Sequence, residues 1–341
     1  VKLVLSQEQQ ELRAAVRAFL AAASPPPRAR EGYDPAVYAR LNGELGLAGL
    51  LVAEEYGGAG AGFADLAVAL EETGAVLLPG PFLATTFAAI ALAGVPDKEL
   101  LTGIAEGRIA ATLARPHTGI PLRDGTVTGT LPQVLSGMEA DVLLLPATTG
   151  DGLVMTAVDL HGEGVTRTPL ETLDITRGQA RVELGGAAAR VLGPAPAGVG
   201  DRLAVALAAE QLGVMRAALD AIVAYAKVRV AFGRYIGSYQ GVKHKLADMH
   251  GKLEQAESIV RYAAWAADES PDELPEAAAL AQAYVGRACF EVARDHLLLH
   301  GGIGYTWEHD AHLYYKRAKT DEVLLGPPRA HRARLADLLE L

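Results

Sequence analysis

Apolar residues recur at helical spacing through the first hundred positions, shift to short runs in the middle, and return to helical spacing from about Asp201 onward. Ser6-Gln7-Glu8-Gln9 has the form of a capping box, and Leu12, Val16, Phe19 and Leu20 follow on one helical stripe. Ser24-Pro25-Pro26-Pro27 ends that helix, since proline donates no amide and restricts the residue before it. A second helix is predicted from Pro35 through Leu45, running into a glycine-rich stretch from Gly46 to Gly60. Within it, Glu54 and Glu55 read as a solvated edge beside glycines at positive φ. Ala84 to Val95 is apolar all round and reads as a core helix.

Four short runs follow: Ile109 to Leu113, Val142 to Leu145, Leu153 to Val158 and Ala180 to Leu184. Asp124-Gly125 and Gly150-Asp151-Gly152 separate them as turns, so a small antiparallel β region is predicted. Pro194, Pro196, Gly198 and Gly200 mark a hinge, and Ser270 to Pro275 a turn between two later helices. Apolar residues on the helices from Leu203 to Val228 and from Leu280 to Leu299 exceed what one core needs, which predicts a helical interface between subunits.

Composition narrows the class. The chain has 341 residues, of which 21% are charged, with a net charge of −10. That length supports two or three domains. The acidic balance disfavours a nucleic-acid binder, which would need a basic face, but leaves room for a few local cations around a nucleotide. No segment reaches the roughly 18 uninterrupted apolar residues of a membrane span, and no signal-peptide pattern opens the sequence. The lone cysteine, Cys289, excludes an internal disulfide and suits a reducing cytoplasm. No metal site is expected.

Two segments carry chemistry. In Arg229-Val230-Ala231-Phe232-Gly233-Arg234, the guanidinium suits phosphate oxygens and the aromatic ring suits an adenine or ribose. Gln240 adds a neutral donor and acceptor. The same residues could instead be an arginine paired with a nearby acid and a core phenylalanine. In His300-Gly301-Gly302-Ile303-Gly304-Tyr305, closely spaced glycines let backbone amides approach a pyrophosphate. Taken alone, the glycines could simply terminate a helix ending at His300.

Together with Leu246-Ala247-Asp248-Met249 and Thr306-Trp307-Glu308, these segments closely resemble the acyl-CoA dehydrogenase family. The resemblance implies an α+β fold: an N-terminal helical domain over 1–107, a middle antiparallel β domain over 108–198 and a C-terminal four-helix bundle over 199–341. It implies FAD as cofactor, an acyl-CoA thioester oxidised at its α and β carbons, and an electron-transfer acceptor. Arg229, Phe232, Gln240, His300, Gly301, Gly302 and Gly304 would grip the adenosine diphosphate half of a neighbouring subunit's FAD.

Other family features are missing. In family members a glutamate base often precedes a glycine where this chain has Leu325-Gly326, and some place it on the first long C-terminal helix, a slot that falls at Leu203. The flavin-ring loop is echoed only by Pro116, Thr118 and Gly119, and the β region has no tryptophan. The catalytic residue is therefore unassigned. One implied reading is a subunit of an α2β2 heterotetramer, as in bacterial enzymes acting on steroid side-chain CoA esters, with a homologous partner supplying base and flavin seat. Alternatives are a self-sufficient homo-oligomer using Glu210 or Asp201, or a non-catalytic scaffolding homologue. Glu308-His309-Asp310 resembles an acid–base cluster, but its glutamate matches a position the family uses structurally.

Overall fold

The computed structural model describes residues 3–114 and 119–341. In chain order come α1 (Gln7–Ala23), α2 (Pro35–Leu45), α3 (Phe63–Ala75), α4 (Phe82–Leu92) and α5 (Lys98–Ala105). The strands are β1 (Ala111–Leu113), β2 (Ile120–Arg123), β3 (Thr126–Leu135), β4 (Val142–Thr149), β5 (Gly152–Asp159), β6 (Val165–Pro169), β7 (Gln179–Ala188) and β8 (Arg190–Pro194). Next come α6 (Val199–Val228) and a hairpin of β9 (Val230–Ala231) and β10 (Arg234–Tyr235). The chain closes with α7 (Gln240–Glu269), α8 (Leu274–His300), α9 (Ala311–Leu324) and α10 (Pro328–Leu338). Helices, then sheet, then helices is the predicted order.

Two compact units share these elements. One comprises residues 31–62 and 79–199. Its sheet runs β6-β7-β3-β2-β4-β5-β8, antiparallel except where β4 pairs in parallel with β1 and β2. Leu143, Leu144 and Leu145 of β4 are all fully buried. Leu143 and Leu145 pack with Val127, Val158 and Val182, while Leu144 packs with Ala88, Leu92 and Ile104 from α4 and α5. A strand buried on both faces reads as a continuous apolar run, which is how it stands out in the sequence. Every residue of α4 is buried, as its all-round apolar pattern predicts.

The other unit comprises residues 1–30, 63–78 and 200–341. α1 begins with the predicted capping box: Gln9 N–H donates to Ser6 Oγ at 3.2 Å and Ser6 N–H to Gln9 Oε1 at 3.1 Å. α3 is capped from a distance, its Phe63 and Ala64 amides donating to the Asp268 carboxylate of α7 at 2.7 and 3.0 Å. Two glycines then bring α3 and α6 into backbone contact. A Cβ on Gly213 would lie 1.8 Å from the Glu71 carbonyl oxygen, and one on Gly74 would lie 2.1 Å from that of Glu210. Beside this crossing the buried Glu71 carboxylate receives Arg261 at 2.5 Å, Arg216 at 2.8 Å and Arg13 at 3.1 Å. Burial pushes its pKa up, and the three guanidiniums more than reverse that, holding it below the ordinary carboxylate value.

Candidate functional site

α6 ends where its last residues turn into the β9–β10 hairpin. Arg229 N–H donates to the Tyr225 carbonyl at 2.9 Å, and Ile236 N–H donates back to the Arg229 carbonyl at 2.8 Å. Gly237 fits because its missing Cβ would lie 2.8 Å from the Ala226 carbonyl oxygen. Tyr239 O–H donates to the Ala231 carbonyl at 2.8 Å, and the Arg234 guanidinium lies 3.9 Å from the Tyr239 ring centroid. These contacts brace a turn at whose tip Phe232 takes φ +51° and Gly233 φ +80°. A phenylalanine in the left-handed region is held there at a cost. Its ring is 98% exposed.

Arg229 is exposed too, and among the described residues its guanidinium makes no ion pair or hydrogen bond. Neither bland expectation, a paired arginine or a core phenylalanine, describes these side chains. Gln240 opens α7, also exposed, with its side-chain nitrogen 3.5 Å from the His244 ring.

The glycine loop begins at the far end of α8. Gly301 ends that helix at φ +67°, and its N–H donates to the Leu298 carbonyl. Nothing lies within 4 Å of the Cβ that either Gly301 or Gly302 could carry, so their backbone is open to an approaching ligand. Gly304 differs: a Cβ there would sit 2.8 Å from the Leu297 carbonyl, so its glycine lets the loop fold back on α8. His300 is buried beneath the loop, 4.5 Å ring to ring from Tyr225. Tyr225 lies one turn before Arg229, so that contact brings hairpin and glycine loop to one corner. Sequence reasoning missed Tyr225, because nothing in its local spacing reports a contact across two helices.

The candidate base positions lie elsewhere. Leu325 caps α9 and is buried, as is Leu203. Glu210 is buried with its Oε1 3.2 Å from the Arg317 Nη1. Asp201 is held by both terminal nitrogens of Arg334, one at 3.1 Å. Glu308 is exposed, Asp310 pairs with Arg30 at 2.5 Å, and His309 Nδ1 accepts the Ala311 amide at 3.1 Å, so that run forms no triad. Glu54 and Glu55 are exposed beside Gly57 at φ +85° and Gly60 at φ +59°, the solvated turn their pattern predicts. Pro116 and Thr118 lie outside the described residues.

Helices, sheet and helices in this order define a mixed α and β protein that ends in a helical region. Residues 6–107 match the model of the acyl-CoA dehydrogenase N-terminal domain, and residues 200–339 that of the C-terminal domain. The acyl-CoA dehydrogenase IpdE2 of Mycolicibacterium smegmatis is 38% identical over 337 residues, covering 97% of this chain and 98% of that protein. IpdE2 of Mycobacterium tuberculosis is 36% identical over 96% of each. Among solved structures, the Tcur3481-Tcur3483 steroid acyl-CoA dehydrogenase G363A variant matches with a TM-score of 0.89 and 31% identity over 98% of each chain. The ChsE4-ChsE5 complex from Mycobacterium tuberculosis matches with a TM-score of 0.91 and 27% identity over 100% of this chain and 99% of that one. The chain belongs to the acyl-CoA dehydrogenase family.

The family's cofactor is FAD. An unpaired guanidinium, a solvent-facing ring, a primary amide and two open glycines are a donor set that fits its adenosine diphosphate half. Among the described residues no helix is long and apolar enough to cross a membrane.

Proposed function

We propose that this chain is a subunit of a heteromeric acyl-CoA dehydrogenase, closing the adenosine end of a partner's FAD site and supplying no catalytic base. One observation carries the reading: Arg229 and Phe232 are exposed and Arg229 has no partner among the described residues, while Glu210 and Asp201 sit in ion pairs and the positions that the family resemblance gives to a base hold Leu203 and Leu325. Arg229 would fork onto phosphate, Phe232 would cover the adenine or ribose, and Gln240 would hydrogen-bond beside them. Gly302 would offer its backbone amide, and Gly301, whose own N–H is taken by the Leu298 carbonyl, would let the ligand approach with no Cβ in the way, with His300 and Gly304 fixing the loop from below.

Bound FAD supplies the acceptor for hydride leaving the substrate β carbon. The α proton needs a carboxylate, which a homologous partner would provide in an α2β2 assembly. The substrate class is a bulky acyl-CoA thioester such as a steroid side-chain ester. That choice is supported by a structural relative that is a steroid acyl-CoA dehydrogenase. Electrons then pass to an electron-transfer acceptor. We assign the spans 1–107, 108–198 and 199–341 to the family's three domains, and the assembly to the cytoplasm.

The visible spectrum of the purified chain, alone and with its partner, tests this. The chain alone should be colourless, with flavin and turnover appearing together in the complex. Full flavin and turnover in the chain alone would make it a self-sufficient homo-oligomer. No flavin even with the partner would leave a scaffolding homologue.

A further inference from the structure

The corner below the glycine loop is built from rings. Four of the chain's nine histidines lie between positions 296 and 312. His300 and His309 are 4.3 Å apart between centroids, with Tyr225 4.5 Å from His300 and 6.5 Å from His309. His296 stands edge-on to His300 at 4.6 Å and to Tyr314 at 5.6 Å. Trp307 lies 4.7 Å from His312.

Backbone partners fix two protonation sites. His300 Nδ1–H donates to the His296 carbonyl at 2.8 Å, so its Nε2 carries the lone pair. His309 accepts the Ala311 amide at Nδ1, so its proton sits on Nε2. His296 is 1% exposed, and among the described residues neither its ring nitrogens nor those of His312 have a hydrogen-bond partner.

Charges of both signs face the rings: Asp310 favours a proton on His309 and His312, while Arg30 opposes it at both and Lys316 opposes it at His312. Arg30 faces His309 and His312 but is engaged by Asp310, and Lys316 stands over Trp307 beside His312. Asp295, next to His296 on α8, is taken by Arg294 and Lys245. The Tyr314 hydroxyl donates to the Ala75 carbonyl. Among the described residues no carboxylate forms an ion pair with any of the four rings.

We propose that this stack is a proton-sensing brace: with its rings neutral it holds the glycine loop and the start of α9 in place, and proton uptake releases the adenosine end of FAD. The proposal rests on the reading of Gly301 and Gly302 as part of the nucleotide grip. A proton on His309 Nδ1 takes the lone pair from the Ala311 amide and uncaps α9. A proton on His300 Nε2 sets a cation 4.3 Å from the His309 ring and 4.6 Å from the His296 ring.

Burial pushes all four histidines below their usual value, His296 to about 3. With the folded pKa depressed, the brace is complete above about pH 6.5 and weakens as pH falls below it, because unbraced imidazoles take protons first.

FAD affinity of the partner complex, read by flavin fluorescence, should fall at least about tenfold between about pH 7.5 and pH 5.5. His309→Asn places an amide oxygen near the Nδ1 position without a titratable nitrogen. It should flatten that fall to under about threefold, whereas His309→Ala should weaken FAD at both pH values. An unchanged fall in His309→Asn combined with His300→Asn, or no fall in the wild type, would overturn the proposal. Amide hydrogen exchange on the wild-type chain alone gives a measure that needs no flavin and no variant. After correction for intrinsic pH dependence, protection over residues 301–312 should drop across the same interval, and constant protection would sink the brace. Should Arg229→Ala leave FAD binding intact at about pH 7.5 while protection still drops with pH, the nucleotide-grip reading fails and the brace stands.

Discussion

The middle of α6 and its C-terminal end treat charge in opposite ways. In the middle, Gly213 lets α3 approach to backbone contact, and every carboxylate nearby is claimed: Glu71 by three arginines, Glu210 by Arg317. At the end, Arg229, Phe232 and Gln240 are exposed, and Arg229 has no partner among the described residues. The middle of α6 thus sits among paired charges, while the turn that follows its C-terminal end presents an arginine and a ring to solvent. Removing one partner of a buried ion pair is costly, whereas removing an exposed, unpaired side chain costs the fold little.

The sharpest way to break that contrast is to strip the satisfied region. Glu71→Ala would leave Arg13, Arg216 and Arg261 facing one another and should cost about 3–5 kcal/mol of unfolding free energy in a denaturant titration. Acid should do the same by degrees. Glu71 has a folded pKa below its unfolded value, so its stabilisation is present above about pH 4.5 and is lost as pH falls through the folded value. A stability profile that is flat below about pH 4.5 would contradict the three-arginine account.

A smaller effect separates ligand from fold. Arg229→Ala should weaken FAD retention in the complex by about 1.5–3 kcal/mol while leaving the melting temperature of the chain unchanged. Equal flavin affinity would make Arg229 structural. Glu210→Gln should lower the rate per folded complex by less than about tenfold, under about 1.4 kcal/mol of barrier, because its carboxylate already serves Arg317. The corresponding change of the partner's glutamate should abolish turnover with flavin still bound. The reverse pattern would make this chain the catalytic one. Phe232→Ala should do least to the fold, within about 0.5 kcal/mol, given its exposure.

Elements that declare themselves locally were legible. The Ser6 box, the predominantly apolar α4 and the Leu143-Leu144-Leu145 run each carry their signal within a few residues. Strands β2, β3, β6 and β8 were not, since β3 runs through Thr126, Thr128, Gly129, Thr130 and Pro132 and shows the core only a few apolar side chains. The corner was half legible. Arg229, Phe232 and the glycines stood out by type and spacing, but the ring stack that joins them depends on the ends of α6 and α8 meeting in space. Glu71 gave no warning either, because its partners come from three different helices far apart in the chain.

Gly213 touches the carbonyl of the same residue whose carboxylate gathers the arginines. Helix spacing and ion pairing in that region are therefore one degree of freedom. Parting α3 from α6 by the width of a methyl group would lengthen the Arg216 contact along with the backbone contact. The amides in the middle of both helices should then exchange with solvent in a single opening event rather than fraying one by one, so that this crossing behaves as a cooperative unit of the native state.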